Sequence, residues 1–521
     1  MTERREGRSG GSRGSPPDQR SRDSRGDPMD RRDFVRAVGL GAAALGVVGL
    51  EACGSRRPPN VVFIMADDLG YGEVGCYGQT KIRTPSIDRI AAEGIRFTQH
   101  YSGSPVCAPS RCALLTGLHM GHAYIRDNDE MNERGDVWHD PALEGQRPLP
   151  EGTYTLGTLF QNAGYVTGGM GKWGLGGPDS AGHPNRQGFD HWYGYLCQRV
   201  AHNYYPTHLW RNGEKDVLEG NDYFYPHQRL PEDADLTDPA SYEPYVGAVY
   251  SQDVIAEEAR TFIRQHAQEP FFLYLPFTVP HASLQVPEDS LEEYADAFGE
   301  TPYTGDQGYL PHPKPRAAYA AMVTRMDREI GRILDLLEEL GLTRDTLVLF
   351  TSDNGPTFNG GTDSEFFESA GGLRGLKTEL YEGGIRVPLV ARWPGSIPAG
   401  GVTDLPSAFW DFLPTFAELL EQPLPVPSDG VSLLPTLGGG RGTQGEHEYL
   451  YWEFQGRQAV RMGNWKAYRD ATSGALELYD LDADPGETLE VSGSNPRIAR
   501  RISEIMAEAR TESELFPLVR G

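Results

Sequence analysis

The stretch Asn60-Val61-Val62-Phe63-Ile64-Met65-Ala66-Asp67-Asp68-Leu69-Gly70 places a short, almost entirely apolar run directly before two carboxylates. A continuous apolar run of this length is typical of a strand that is buried on both faces of a parallel sheet. Asp67 and Asp68 would then stand at the carboxyl end of that strand, where open α/β sheets bind their ligands. The stretch therefore predicts an α/β fold with a polar site at one edge of its sheet.

Three later runs in the chain are also followed by polar or charged residues. They are residues 164–167 before Lys172, 271–277 before His281, and 346–350 before Asp353 and Asn354. Helical spacing at 87–94 and 318–340 fits the helices that connect parallel strands. Because the carboxyl ends of parallel strands meet at one edge, we expect these polar side chains to lie beside Asp67 and Asp68.

The residues at these strand ends favour a hard metal ion. One acidic strand end is weak evidence, because aspartate commonly caps the next helix. Three aspartates in one place, however, repel one another unless a cation neutralises them. Oxygen ligands from Asp67, Asp68, Asp353 and Asn354 suit calcium or magnesium rather than zinc or copper.

Composition and charge narrow the class of partner. The chain has 521 residues, a formal net charge of -26 and five scattered cysteines. Its length allows a large core and more than one layer. The acidic charge argues against a nucleic-acid partner, and an acidic protein that binds an anion needs a local cation, which a metal supplies. The cysteines include no Cys-x-x-Cys pair and are too few for a disulfide framework.

A candidate nucleophile follows residues 95–101, which we interpret as a strand, and a loop at 102–106. Cys107 precedes Pro109, and we place the first turn of a helix at residues 112–115. Free N–H groups at a helix start attract anions, so we expect Cys107 to be an acidic thiol, with Arg111 adding positive charge. The residues alone leave two alternatives: a nucleophile or metal ligand in an anion-binding site, or a buried structural cysteine.

The first 52 residues are typical of a leader. Residues 1–28 are rich in Arg, Ser, Gly and Asp, and paired Arg31 and Arg32 precede an apolar run at 37–50. That run reaches only about 21 Å as a helix, short of a ~30 Å hydrocarbon core. This pattern predicts export by the twin-arginine route, to the periplasm or cell surface. Cys53 ends a lipobox-like segment and predicts a lipid anchor, although Glu51 is unusual there; Met29 is an alternative start.

Residues 107–117, Cys-Ala-Pro-Ser-Arg-Cys-Ala-Leu-Leu-Thr-Gly, resemble the signature of the sulfatase family, Cys-x-Pro-Ser-Arg followed by Leu-Thr-Gly. In that family a separate maturation enzyme recognises these residues and oxidises the cysteine, which makes the motif highly specific. The resemblance extends over nearly the whole mature chain. Further blocks similar to those of the family are 60–78, 171–173, 352–355, 375–377 with 382–384, and 478–481 with 484–487.

The resemblance implies an exported, arylsulfatase-like hydrolase of sulfate monoesters, with an alkaline-phosphatase-like α/β fold. It implies that a formylglycine-generating enzyme oxidises Cys107, and that the hydrated aldehyde, a gem-diol, attacks sulfur. The implied calcium ligands, with magnesium as the second choice of metal, are Asp67, Asp68, Asp353, Asn354 and the modified Cys107.

The implied catalytic residues are Cys107, Arg111, Lys172, His281 and Lys377. Arg111 would stabilise the oxyanion together with the metal, the two lysines would bind sulfate oxygens, and His281 would protonate the leaving alcohol. One position departs from the pattern, because many members carry His two residues after the lysine, where this chain has Gly174. That histidine is usually assigned to the collapse of the covalent intermediate, so another histidine or water would have to take over.

Two other functions remain as alternatives. A phosphonate monoester or phosphodiester hydrolase would use the same formylglycine, but phosphate carries more charge and would need extra cations, which the sequence does not show. A catalytically dead, lipid-anchored binding protein is disfavoured because every expected ligand is present. An unmodified Cys107 would favour it.

The aromatic stretch 189–210 favours a sulfated saccharide over another sulfated small molecule. It combines rings that can stack on sugars with polar groups that can bind hydroxyls, including His202 and Asn203. The alternative is that most of these rings belong to the core.

The domain prediction comprises the leader at 1–52, a catalytic domain at 58–440 and a C-terminal subdomain at 441–521. The catalytic domain should sandwich a mixed, mainly parallel sheet between helices. The subdomain should be a small α+β unit, with short strands at 449–454, 458–462 and 476–481 and a closing helix at 495–510.

Overall fold

The computed structural model describes residues 58–129, 144, 146–440, 442–470 and 472–518. Contacts divide the chain into the units Met1–Arg56 and Arg57–Gly521, and all the elements below lie in the second. The predicted leader, with Arg31, Arg32 and Cys53, lies outside the described residues. Within the described ranges, no helix is both long enough and apolar enough to cross a bilayer.

A ten-stranded mixed sheet forms the centre of the main domain. The strands of this domain, in chain order, are β1 (Asn60–Asp67), β2 (Ile95–Phe97), β3 (His100–Tyr101), β4 (Val166–Lys172), β5 (His191–Tyr195), β6 (His208–Arg211), β7 (Glu214–Val217), β8 (Phe271–Pro280), β9 (Thr346–Ser352), β10 (Leu389–Arg392), β11 (Gly401–Thr403) and β12 (Ser407–Ala408). The short strands β3 and β12 pair with each other, and the remaining ten form the sheet in the order β11-β2-β10-β9-β1-β8-β4-β5-β6-β7.

The five central strands, β9, β1, β8, β4 and β5, are parallel to one another. The flanking strands β10 and β6 run antiparallel to β9 and β5. The sheet is therefore mixed and mainly parallel, which confirms the predicted fold class. At the carboxyl end of β1, Ala66 lies opposite Ser352 of β9 and Asp67 lies opposite Pro280 of β8. This register brings the ends of three strands to the same level.

Helices cover both faces of the sheet. They are α1 (Pro85–Ala92), α2 (Cys107–Thr116), α3 (Leu156–Asn162), α4 (Ser251–Gln265), α5 (Glu288–Leu291), α6 (Pro315–Glu339), α7 (Glu382–Ile385) and α8 (Phe412–Leu419). Successive residues of β1 point to opposite faces, so Val61, Phe63 and Met65 pack on the side of α2, α3 and α8. Val62 and Ile64 pack on the side of α1, α4 and α6. Burial on both faces explains the unbroken apolar run of β1.

The C-terminal subdomain is an antiparallel sheet closed by a helix. Its elements are β13 (Leu450–Phe454), β14 (Arg457–Met462), β15 (Trp465–Asp470), β16 (Leu476–Asp480) and α9 (Pro496–Glu508). The sheet confirms the small C-terminal unit. The sequence did not predict β15, in which Lys466, the second residue, has the pattern of a surface charge. The structure instead buries Lys466 completely.

Candidate active site

Four strand ends converge at the carboxyl edge of the sheet. Asp67 and Lys172 are the last residues of β1 and β4, and His281 and Asp353 directly follow β8 and β9. The ammonium of Lys172 lies 2.5 Å from Asp67 Oδ2, and His281 Nε2 lies 3.5 Å from Asp68 Oδ2. All of these side chains are buried. The structure thus brings together the residues that the strand pattern predicted to meet.

Cys107 is the first residue of α2, so the predicted helix start at residue 112 is wrong. Val106 is extended, with a φ of -145°, and the helix begins immediately after it. Pro109 fits within the first turn, where its missing N–H is not needed. The N–H of Ala108 donates to Asn128 Oδ1 at 2.9 Å, so a side chain satisfies one donor of this helix start. Cys107 is therefore carried by a rigid, fully buried helix.

The thiol of Cys107 is not acidic, contrary to the expectation from its place at a helix start. Burial raises the pKa of the Cys107 thiol well above its usual value, and the neighbouring Asp67 raises it further. Cys107 Sγ lies 3.3 Å from Asp67 Oδ1 and 3.5 Å from Lys172 Nζ. The positive charge of Lys172 lowers the pKa of the thiol but does not compensate. A neutral thiol is a poor nucleophile, so Cys107 is not activated as it stands.

Arg111 ties three strand ends together from behind the site. Its Nε and Nη2 donate to Asp353 Oδ2 at 3.1 and 2.8 Å. Its Nη2 also lies 3.1 Å from Asp67 Oδ2, and its Nη1 donates to the carbonyl of Lys172 at 2.5 Å. The guanidinium is fully buried, so these pairs are shielded from solvent. Arg111 fixes the orientation of two carboxylates.

The oxygen-rich floor of the site fits a hard divalent cation. Asp68 N donates to Asp353 Oδ1 at 3.1 Å, and Asn354 Nδ2 donates to Asp68 Oδ1 at 2.8 Å. Asn354 Oδ1 is buried and has no hydrogen-bond partner in the part of the chain that the structure describes. One ligand atom each from Asp67, Asp68, Cys107 and His281 lies within 4.8 Å of the others. An orphaned acceptor beside clustered carboxylates is what calcium requires of a site.

The charges of this floor are unevenly balanced. Burial favours the neutral form of Asp67, but Lys172 and Arg111 outweigh it and hold the pKa of Asp67 well below its usual value. Burial and the negative charge of Asp67 raise the pKa of Asp353 to about 6, in spite of Arg111. The neighbouring cations therefore stabilise the carboxylate form of Asp67 more than that of Asp353. A further cation beside Asp353 would lower its pKa.

Lys377 and His281 form the opposite wall. Lys377 Nζ lies 2.7 Å from Asp68 Oδ2 and 3.1 Å from His281 Nε2. Burial acts to lower the pKa of Lys377, but the charge of Asp68 outweighs it and raises the pKa well above its usual value. His281 Nδ1 donates to the carbonyl of Ala282 at 2.5 Å, which directs Nε2 towards Lys377. Burial, reinforced by Lys377, lowers the pKa of His281 to about 4.

Cys107, Lys172, His281 and Lys377 line a cavity of about 290 Å³. Most of its outer wall was not predicted from the sequence and consists of Asp127, Asn128, Gln198, Tyr309, Thr378, Phe454 and Gln455. These residues come from loops and from the turn between β13 and β14, where no strand pattern points to a site. Their approach depends on the tertiary fold.

The aromatic stretch 189–210 belongs mainly to the core. Its rings Trp192, Tyr193, Tyr195, Tyr204, Tyr205 and Trp210 are at most 9% exposed. Asn203 is also structural, because its Oδ1 accepts from Tyr205 N and its carbonyl accepts from Tyr195 OH. His202 does line the cavity, and its ring stacks on His281 at a centroid distance of 4.5 Å. Most of the stretch is therefore core rather than a sugar site, and its members that line the cavity are Gln198 and His202.

Comparisons with known proteins agree with this geometry. A family model described as Sulfatase matches residues 59–422, and one described as N-sulphoglucosamine sulphohydrolase, C-terminal, matches residues 376–512. An N-acetylgalactosamine-6-O-sulfatase of Bacteroides thetaiotaomicron is 31% identical over 87% of this chain and 94% of its own length. Arylsulfatase A of Homo sapiens is 34% identical over 86% of this chain and 87% of its own length.

A solved structure extends the likeness to three dimensions. The crystal structure of Ps i-CgsB in complex with k-i-k-neocarrahexaose is similar with a TM-score of 0.68 and 27% identity, over 87% of this chain and 92% of that chain. The family match spans most of the chain and includes every strand end of the site. This chain belongs to the sulfatase family and is an enzyme that hydrolyses sulfate esters.

Proposed function

We propose that the enzyme hydrolyses sulfate monoesters of sugars, with a formylglycine made from Cys107 and a bound calcium ion. The observation that carries this proposal is the position of Cys107. It stands at the start of a buried helix, within 3.3 Å of a carboxylate and 3.5 Å of an ammonium group. The sugar is supported by the similar N-acetylgalactosamine-6-O-sulfatase and by the neocarrahexaose complex of Ps i-CgsB.

Formylglycine, when present and hydrated, supplies an oxygen nucleophile and a second hydroxyl that allows sulfate to leave again. The whole stretch Cys107–Arg111 is buried in α2. A maturation enzyme that reads Cys-x-Pro-Ser-Arg must therefore act on the chain before α2 packs. The partner proposed for maturation is thus a formylglycine-generating enzyme that acts before folding is complete.

The chain's own residues would place and neutralise the sulfate group. Calcium, when held by Asp67, Asp68, Asp353 and Asn354, supplies Lewis-acid charge at the reacting centre. Lys172 and Lys377 lie on opposite sides of the cavity and can donate to sulfate oxygens. His281 Nε2 accepts from Lys377 in the neutral ring, so it can give a proton to the leaving alcohol only after it has taken one up, and Asp68 at 3.5 Å is the counter-charge available to that protonated ring. Arg111 acts from behind, by holding Asp67 and Asp353 in place.

The charge count of the site favours a singly charged ester. Asp67, Asp68 and Asp353 are matched by Arg111, Lys172 and Lys377, all buried except Lys377, whose side chain is 11% exposed. A divalent metal would add net positive charge to a protein with a formal charge of -26. A sulfate monoester has one negative charge, whereas a phosphate monoester has two and would require more cations. A phosphodiester or phosphonate monoester also has one, so the charge count does not separate these from a sulfate ester and the kinetic panel must. Among the described residues that line the cavity, Lys172 and Lys377 are the only lysines, and no arginine lines it.

The test is a kinetic panel on enzyme co-expressed with a formylglycine-generating enzyme. It compares N-acetylgalactosamine 6-sulfate, 4-nitrophenyl sulfate and bis(4-nitrophenyl) phosphate, with Cys107→Ala as the inactive control. We expect kcat/KM to be highest for the sugar sulfate, and mass spectrometry of the tryptic peptide Phe97–Arg111 to show loss of the Cys107 sulfur. A higher kcat/KM for the phosphodiester would replace this proposal with the alternative hydrolase. Full activity with an unmodified thiol would refute the formylglycine mechanism.

A further inference from the structure

Gly174 and Gln198 share one space at the edge of the active site. The loops that leave β4 and β5 run side by side, with Trp173 N donating to Tyr195 O at 2.9 Å and Gly174 N donating to Leu196 O at 3.1 Å. Gly174 is left-handed, with a φ of +82°. A Cβ added there would lie 2.7 Å from Gln198 Cγ and 2.8 Å from Gln198 Cδ. A side chain at position 174 would therefore have to displace that of Gln198 from its present place.

The hydrogen bonds of Gln198 fix which end of its amide faces the cavity. Asn128 Oδ1 accepts from the N–H of Ala108, so it can pair only with the NH2 end of Gln198, and Gln198 Nε2 donates to it at 3.2 Å. The N–H of Gln198 donates to Gln146 Oε1 at 3.1 Å, which anchors the backbone of this residue. These two hydrogen bonds fix the backbone and the NH2 group of Gln198, and they therefore also fix the position of its side-chain oxygen Oε1.

That oxygen is a buried acceptor in a ligand cavity. Gln198 is 5% exposed, and its Oε1 has no hydrogen-bond partner among the described residues. It lines the same cavity as Cys107, Lys172 and His281. Buried polar atoms without a partner are rare in folded proteins, because each one has lost its hydrogen bonds to water. An acceptor left over in an active-site wall indicates a donor on the ligand.

The neighbours of Gln198 define the chemistry of that donor. The outer wall of the cavity carries the neutral groups of Asn128, Tyr309 and Gln455 and the carboxylate of Asp127. A carboxylate on the wall disfavours a substrate with a second anionic group beside the sulfate ester. A neutral donor, such as a ring hydroxyl, meets no such repulsion and satisfies the Gln198 oxygen.

We propose that Gln198 is a specificity-determining residue whose Oε1 accepts a hydrogen bond from a hydroxyl of the sulfated sugar ring. Gly174 allows Gln198 to take this position, because a larger residue at 174 would displace the Gln198 side chain. A carboxamide does not act as a base at neutral pH, so Gln198 recognises the substrate and leaves proton transfer to other groups. The inference rests on the proposed sugar sulfatase function and narrows its substrate to a neutral, hydroxyl-bearing ring.

The experiment pairs enzyme variants with substrate analogues. Gln198→Met keeps the length of the side chain and removes the acceptor. We expect it to lower kcat/KM for N-acetylgalactosamine 6-sulfate by about 10- to 100-fold more than for 4-nitrophenyl sulfate. Deleting single ring hydroxyls from the substrate should reproduce the loss in the wild type at one position and have little further effect in Gln198→Met. Gln198→Glu keeps an acceptor oxygen but loses the donor to Asn128 Oδ1 and adds a negative charge, so we expect a lower kcat/KM on both sulfates with a substrate ratio closer to that of the wild type than in Gln198→Met.

Binding and a matched control separate recognition from folding. Calorimetric binding of the sugar sulfate to Cys107→Ser should weaken by a similar factor when Gln198→Met is added. Gln268→Met, an exposed glutamine before the start of β8 at the opposite edge of the sheet, should change neither binding nor the substrate ratio. Equal losses on both substrates, or strictly additive effects of variant and deoxy analogue, would overturn the inference. If the wild type fails to hydrolyse either sulfate, the proposed function itself is wrong.

Discussion

Lys466→Met should cause a large loss of stability, because it removes the cation shared by two buried carboxylates, Glu382 and Glu487, of which Glu382 keeps the ion pair with Arg386 at 3.3 Å. Lys466 Nζ lies 3.0 Å from Glu382 Oε1 and 3.0 Å from Glu487 Oε1, and all three side chains are 0% exposed. Glu487 Oε2 accepts from the N–H of Glu382 at 2.6 Å. This cluster joins β15 of the C-terminal sheet to α7, whose Gly384 accepts from Gly355 N behind the metal ligands.

The magnitude follows from the distances and the burial. Each pair at 3.0 Å carries a gross attraction of about 5–6 kcal/mol at an effective dielectric constant of about 20, most of which is offset by desolvation. Removing one partner of a buried pair leaves that desolvation uncompensated and typically costs about 3–5 kcal/mol. We expect Lys466→Met to lose a free energy of unfolding in that range. Lys81→Met, at the surface pair of Lys81 with Glu368 (3.3 Å), should lose less than about 1 kcal/mol.

The pH dependence gives a second signature. In the wild type, Lys466 and Arg386 outweigh burial and lower the pKa of Glu382 to about 2, so its stabilisation is present above an unfolded pKa near 4.5 and is lost below it. Burial raises the pKa of Glu487 to about 7, because Lys466 offsets it only in part. Without Lys466 both folded pKa values should rise. Because the unfolded pKa values are common to both proteins, the cost of the substitution should grow with rising pH above the wild-type folded values, from about 2 for Glu382 and from about 7 for Glu487.

Urea unfolding followed by tryptophan fluorescence, at pH 5 and pH 8, measures these differences. Adding Glu487→Gln to Lys466→Met should recover part of the loss, because it removes one of the charges left unpaired. If Lys466→Met cost no more than Lys81→Met at pH 8, or if its cost fell with rising pH, the reasoning from buried ion pairs would be refuted.

Three further predictions concern the metal, the leaving group and export. Calcium should raise the Tm of the wild type but not of Asp353→Asn in thermal scans with and without chelator; an equal shift in both would contradict the proposed ligand set. His281→Asn should reduce kcat/KM by roughly 100- to 10,000-fold for sulfates of poor leaving groups and far less for 4-nitrophenyl sulfate; equal losses across a leaving-group series would exclude a proton donor. Replacing Arg31 and Arg32 by lysine should retain the protein in the cytoplasm on cell fractionation, and Cys53→Ser should release exported protein from the membrane; unchanged distributions would remove the twin-arginine and lipid-anchor proposals.

The inner part of the site was predictable because strands determine where their ends lie. Asp67, Lys172, His281 and Asp353 each stand at or directly after a buried parallel strand, and the register of the sheet brings those ends together. An apolar run in the sequence therefore specifies both the strand and the location of the residue after it. Lys377 had no such signal, and only the family resemblance indicated that its loop reaches the site.

Ionisation and helix boundaries were less predictable, because they depend on neighbours that are remote in sequence. The acidic thiol was expected from a helix start and from Arg111, but Arg111 is bound to Asp353 and Asp67. Burial then dominates the pKa of Cys107. Likewise, Lys466 has the pattern of a surface charge until the structure shows Glu382 and Glu487 around it. In both cases the sequence identifies the charged group but not its counter-charge.

The residues proposed to act on the ester and those that face the rest of the substrate also differ in how far the sequence predicts their positions. Most of the groups proposed to act on the ester lie at strand ends or on the buried helix α2, where the sheet holds them within hydrogen-bond distance of one another. Groups that face the rest of the substrate, such as Asn128, Gln198 and Gln455, come from loops whose positions depend on one another. Because a Cβ at Gly174 would lie 2.7 Å from Gln198 Cγ, a larger residue at position 174 would require the Gln198 side chain to move. The departure from the family pattern at Gly174 is therefore best understood together with Gln198: it removes a histidine from the reaction centre and leaves room in the recognition wall for the glutamine side chain.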